Sequence, residues 1–232
     1  MKKVSKALLL ILCAVMLIAA SVLGTMAYLT SSDEVVNTFT YGKVNIKLDE
    51  AVVDEYGKPD GSKRTDKATH DINQYKLIPN CTYTKDPTVT VVGDSEECYI
   101  RILVQVSDVD KLKAAFPQDR YPSYWNGNIF LLQNLVNWDS SIWNCVEATA
   151  EGRYAFDYKS TVSTVDAADK KLEPLFTTLT VPGIMTNSEV AALDQVKVTI
   201  TAYAVQKAGF ESAGKAFNAA FGTVFNSIVP AA

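Results

Sequence analysis

The chain has 232 residues, 48% of them hydrophobic and 21% charged, and its 22 Lys and Arg set against 26 Asp and Glu give a formal net charge of −4. A protein that grips phosphates carries a basic footprint, so this balance speaks against nucleic-acid binding and against adhesion to anionic surfaces. The single histidine, His70, rules out H-E-x-x-H and any multi-histidine metal centre.

The first 27 residues stand apart from the rest. Lys2, Lys3 and Lys6 give a positive start, the run from Ala7 to Leu29 carries no charge, and the small residues Thr25 and Ala27 suit the −3 and −1 subsites of a signal peptidase. This pattern predicts a cleavable signal peptide over 1–27, cut between Ala27 and Tyr28. An uncleaved membrane anchor is the alternative, because an uncharged run this long can span a bilayer. Cleavage leaves 205 of the 232 residues, enough for one β domain over 28–232. The expected location is outside the cell, in the extracellular matrix or at the cell surface, with membrane contact only through the signal peptide before cleavage. Cys81, Cys98 and Cys145 remain after cleavage, an odd number. Pairing of Cys81 with Cys98 and three partly buried thiols are both compatible with that count.

Downstream, Tyr28 to Thr40 is polar, rich in β-branched residues and free of Pro and Gly, which suits an extended segment. Val44, Ile46 and Leu48 alternate with Asn45 and Lys47, the period-two mark of a half-buried strand. Residues 54–76 turn polar, with Gly57, Pro59 and Gly61 as turn signals, and are expected to form a long surface loop containing His70. Asp86 to Val92 reads as the next strand, closed by an acidic turn at Asp94, Glu96 and Glu97; a solvated turn is its plain reading and weak calcium binding the sharper one. From Tyr99 to Val106 the strand signal is strongest. Ile100, Ile102, Val104 and Val106 share one face, and Arg101 and Gln105 take the other, where charge should be tolerated.

Asp108 is placed to cap a short helix, Val109 to Phe116, which Pro117 ends. A loop rich in Tyr, Pro, Trp, Asn and Gly follows at 119–128. Ile129 to Val136 fits a helical turn, and Ser141 to Glu147, Tyr154 to Lys159, Leu175 to Val181 and Val196 to Gln206 fit strands. Beyond Gly209 the period changes: Phe210, Phe217, Phe221, Val224, Phe225 and Ile228 recur at helical spacing and predict an amphipathic C-terminal helix. Many strands, short helices and no βαβ alternation point to an all-β protein, an antiparallel sandwich of jelly-roll type with short helices in its connections and at its C-terminus. No phosphate-cradling glycine loop or C-x-x-C pair is present, and no cofactor, metal ligand or catalytic residue is assigned.

Several strings carry a family resemblance: GTMAYLT at 24–30 followed by NTFTYGKVNI at 37–46, KDPTVTV at 85–91, ECYIRI at 97–102, PLFT at 174–177 and TITAYAVQ at 199–206. In this order they resemble the TasA/camelysin family, exported proteins of Gram-positive bacteria processed by the SipW-type signal peptidase. The resemblance implies a jelly-roll subunit that polymerises with copies of itself into extracellular fibres of the biofilm matrix, with a minor fibre subunit as a further candidate partner. It also implies that the mature N-terminal segment is inserted as a strand into the next subunit. On this chain the donor is Tyr28 to Phe39 within 28–40, with Val35, Asn37 and Phe39 on the face expected to turn inward. Camelysin-like relatives have been classed as metallopeptidases, for which this sequence offers no zinc motif. A secreted hydrolase and a monomeric adhesin binding glycan through Tyr121, Tyr124 and Trp125 remain the alternative functions.

Overall fold

The computed structural model describes residues 30–32, 43–64 and 73–222. The strands are β1 (Thr30–Ser32), β2 (Ile46–Val53), β3 (Pro59–Arg64), β4 (Thr82–Thr84), β5 (Thr88–Val91), β6 (Cys98–Val106), β7 (Trp125–Asn126), β8 (Ile129–Phe130), β9 (Trp143–Ala148), β10 (Arg153–Tyr158), β11 (Lys170–Lys171), β12 (Thr178–Thr180) and β13 (Val198–Gln206). Among the described residues three short α-helices accompany them: α1 (Val109–Ala115), α2 (Asn187–Ala192) and α3 (Ala213–Phe221). The protein is all-β, and among the described residues every strand pair is antiparallel. A five-stranded sheet runs β1-β13-β6-β10-β9, a four-stranded sheet runs β11-β5-β2-β3, and two small pairs join β12 to β4 and β7 to β8.

One core draws on both larger sheets. Val89 and Val91 of the four-stranded sheet and Ile100, Ile102, Val104, Phe156, Ala202 and Ala204 of the five-stranded sheet belong to a single buried cluster. The period-two alternation read from the sequence produces this face directly.

Other expectations change. The loop expected over 54–76 contains β3, which pairs with β2 across a turn at Asp54 to Lys58. Asp54 Oδ1 accepts the N–H groups of Tyr56 and Lys58 at 2.9 and 2.8 Å. Gly57 in this turn has φ +77°, and a Cβ there would lie 2.8 Å from Tyr83, so glycine is required for both reasons. Residues 129–136 form β8 and a 3₁₀ turn at Leu132–Asn134 rather than an α-helical turn.

The helix after Asp108 forms as expected. Asp108 Oδ1 accepts the Lys111 N–H at 3.1 Å, and Phe116 closes the helix by donating its N–H to Leu112. The aromatic segment at 119–128 is not a displayed platform. Tyr121 and Trp125 are buried, with the Tyr121 hydroxyl donating to Glu189 at 2.9 Å and the Trp125 indole N–H to the Phe116 carbonyl at 2.8 Å. Cys81, Cys98 and Cys145 are all free thiols. Burial pushes the Cys98 thiol up to about 12 and the Cys145 thiol to about 11, so both are inert as nucleophiles at neutral pH.

Candidate assembly edge

A sheet accepts an extra strand only along a margin whose backbone groups are available, so the margins of the two larger sheets are the places to look. The four-stranded sheet ends in β3, which contains Pro59, Gly61 and three charged residues, and in β11, two exposed lysines. Proline and lysine are the common means by which natural sheets discourage edge pairing. In the five-stranded sheet, β9 carries Glu147, and its Trp143 indole donates to the carbonyls of Glu173 and Pro174. The opposite margin is different. β13 is nine residues of VTITAYAVQ, without Pro, Gly or a charge.

The ladder fixes which β13 groups face outward. Lys207 donates its N–H to Glu97 at 2.7 Å, and Ser107 donates to Lys197 at 2.9 Å. Residues 197 and 207 therefore point their polar groups toward β6. By the alternation of antiparallel pairing, the even-numbered residues of β13 present theirs to the margin. β1 occupies part of it, with Thr30 opposite Val205, Ser31 opposite Ala204 and Ser32 opposite Tyr203. Among the described residues no strand lies against that margin from Val198 to Ala202. Val198 is exposed and Ile200 only half-buried.

Behind this margin α3 closes the outer face of the sheet. Ser212 caps the helix by accepting the Lys215 N–H at 3.3 Å, and Ala216 and Phe217 are buried against Tyr99 and Val205. Burying a side chain the size of Phe217 stabilises by about 1.5–3 kcal/mol. The helix also covers Arg101, which is only 1% exposed. Its guanidinium donates to both Asp157 oxygens, at 2.6 and 3.0 Å, and lies 4.3 Å from the Phe217 ring centroid. The expectation that Arg101 faces solvent is thus corrected. Burial holds the Asp157 carboxyl above its ordinary value, and the paired Arg101 guanidinium offsets only part of that rise.

The acidic turn beside β13 is a structural clasp. Glu97 accepts the Thr161 hydroxyl and pairs with Lys207 at 2.9 Å. The Thr161 bond first, then Lys207, hold the Glu97 carboxyl below its ordinary value, and Glu97 in turn raises Lys207. Ser95 is fully buried, and its hydroxyl donates to Val92 at 2.6 Å. Among the described residues no three His, Cys, Asp or Glu side chains converge as a metal site.

Of the sequence-assigned positions, Ala27, Tyr28, Val35, Asn37, Phe39 and His70 lie outside the described residues. What is described of the 28–40 segment, Thr30–Ser32, pairs with β13 of its own chain. Sequence reading missed the role of β13 as the margin, α3 as the lid over Arg101, and α2. The last had a signal: Thr186 and Glu189 form a capping box, whose T-x-x-E spacing is visible in the sequence. No protein-family model, no curated protein and no solved structure matches the chain.

Proposed function

We propose that this chain is an exported structural subunit without enzymatic activity. It folds as a jelly roll and polymerises into extracellular biofilm-matrix fibres by donating its N-terminal strand. One observation carries the reading: β1, just downstream of the expected cleavage point, pairs in register with an uncharged margin that it covers only in part. The resemblance of the 24–30 and 37–46 strings to the TasA/camelysin family supports it from the sequence side.

In the fibre, the segment leaves its own β13 and pairs with that of a neighbouring copy. Exchanging identical partners preserves the bonds made, so the step is energetically cheap and the head-to-tail contact does not close on itself. Continuing the β1 register would set Val35 opposite Ile200 and Asn37 opposite Val198. Both then share the face of Ala202 and Ala204, and they cover the apolar groups that β1 leaves bare. The SipW-type signal peptidase frees the donor, and a minor fibre subunit would use the same margin.

Electron microscopy of the mature protein at rising concentration tests this reading. Fibres should form from the mature chain, whereas a variant lacking 28–40 should fold and stay monomeric. Fibres formed unchanged by the deletion variant overturn the mechanism.

A further inference from the structure

Strands β7 and β8 form a hairpin with Asn126 opposite Ile129, so Gly127 and Asn128 are the central residues of its turn. Gly127 has φ +57°, and Asn128 does not share that positive φ. Glycine at the first central position is what a type II′ turn requires. Asn126-Gly127 is also the one Asn-Gly sequence in the chain.

We propose that Asn126 is a site of spontaneous deamidation in the folded protein, through attack of the Gly127 backbone nitrogen on its side-chain amide. The nitrogen gives its proton to the solvent and forms a bond to Asn126 Cγ. The bond from Cγ to Nδ2 breaks, and ammonia leaves with a proton taken from water. The cyclic imide that results takes up one water. Opening on the side-chain carbonyl leaves Asp, and opening on the main-chain carbonyl leaves isoaspartate, with the chain running through Cβ and Cγ. Water is the only co-reactant, and the step is independent of export and of fibre assembly.

The turn leaves this reaction open. Asn126 and Gly127 are both exposed. A Cβ at Gly127 would meet nothing within 4 Å, so no neighbouring group screens the nitrogen. The Gly127 N–H donates to no acceptor among the described residues, while its carbonyl accepts the Gln118 side-chain amide at 2.8 Å. Closing the ring has to turn the peptide link between Asn126 and Gly127. Leu131 donates its N–H to Tyr124 at 2.8 Å, so the alternation of the ladder makes Asn126 and Ile129 its last bonded pair. Terminal pairs open at little cost. Behind this pair Trp125 is buried, its indole N–H held by the Phe116 carbonyl at 2.8 Å, so the change stays within the turn.

Two comparable sequences are held closed. Asp60-Gly61 in β3 is also exposed, but Asp60 Oδ1 accepts the N–H and the hydroxyl of Ser62 at 2.8 and 2.6 Å. The hydroxyl first, then the N–H, hold the Asp60 carboxyl below its ordinary value, and an ionised carboxylate resists attack. Asn187-Ser188 begins α2, where the capping box of Thr186 and Glu189 fixes a helical backbone. That backbone turns the Ser188 nitrogen away from the Asn187 side chain.

The test incubates the intact protein at mildly alkaline pH beside a free peptide of residues 121–131 and the Asn126→Gln variant, whose longer side chain closes the ring far more slowly. Peptide mapping by mass spectrometry, with Asp and isoaspartate forms separated by chromatography, gives the rates, and near-UV circular dichroism reports that the protein stays folded. Asn126 should convert ahead of Asn187 and ahead of isomerisation at Asp60, faster as the pH rises, and the signal should be lost in Asn126→Gln. Conversion in the folded protein should be no more than about tenfold slower than in the peptide, because opening one terminal hydrogen bond costs at most about that factor. A folded protein that keeps Asn126 intact while the peptide converts overturns the proposal, and so does conversion confined to molecules that have lost the near-UV signal.

Discussion

The four-stranded sheet ends in β3 and β11, where proline, glycine and exposed lysines discourage pairing, while the five-stranded sheet ends in β13, a clean run of β-branched and small residues. Their outer surfaces differ as well. Behind β6 and β13, α3 seals an ion pair and a cluster of aromatic rings from water. A sheet that must remain single needs blunted edges, and one that pairs with another chain needs an open edge on a rigid backing. The two sheets share one core, and under the proposed assembly they divide these roles between them.

The largest effect should come from the sealed face. Arg101→Asp would place two carboxylates in the site that Arg101 and Asp157 now share. Breaking a buried pair from one side costs about 3–5 kcal/mol, and like charge adds to it. Ile102→Asp on the inner face should be as damaging, since both sides of β6 are enclosed. Lys171→Asp on the four-stranded margin, an exposed site, should stay within about 0.5 kcal/mol. Urea unfolding of the three variants makes the comparison, and tolerance of Arg101→Asp equal to that of Lys171→Asp would mean that α3 does not seal the sheet.

That contrast also marks how far the sequence is legible. Alternation reports which residues of a strand share a face, and it placed Ile100 to Val106 and Ala202 to Ala204 correctly in the core. It says nothing about what covers the other face. A polar residue between apolar ones reads as solvent-facing, and the cover over Arg101 comes from Phe217, more than a hundred residues away in the chain. The strand β3 was hidden for the opposite reason: its Pro, Gly and charges are turn signals, and they are tolerated because it lies at an edge. For the aromatic loop at 119–128 the sequence leaves open a glycan-binding surface or a cover over the core edge, and the partners Glu189 and the Phe116 carbonyl decide for the second. The margin proposed for assembly was legible only as a property that every open sheet has; the ladder register was needed to say which strand carries an uncharged, partly covered margin.

A smaller change in stability should separate folding from assembly. Val198 is the first residue of β13, and its N–H belongs to the outward-facing set. Proline is accepted at a strand start when its missing N–H faces away from the ladder. Val198→Pro should therefore shift stability by no more than about 1 kcal/mol. It should nonetheless weaken polymerisation, because it removes a donor that an incoming strand would use. Sedimentation of the variant beside the unaltered protein provides the measurement. Normal fibres with normal stability would point to β9 as the accepting margin.

The smallest effect is the pH response of the clasp at the end of β13. Glu97 titrates below its ordinary value of 4.5, chiefly through the Thr161 hydroxyl and then Lys207. Its contribution to stability is therefore present above that ordinary value and is lost as the pH falls through the lowered one. Lys207, raised from 10.5 by Glu97, behaves in the opposite sense: its contribution is present below 10.5 and is lost as the pH climbs through the raised value. The clasp should hold across the interval between these limits and loosen on either side of it. Both groups are close to half exposed, so solvent screening keeps the effect local. Amide exchange at Lys207, corrected for the intrinsic pH dependence, should rise outside the interval and stay flat within it. Glu97→Gln should abolish the acid limb and lower the pH at which the alkaline limb begins. An unchanged profile in Glu97→Gln would show that backbone pairing alone, through the Lys207 N–H and the Glu97 carbonyl, holds the end of β13.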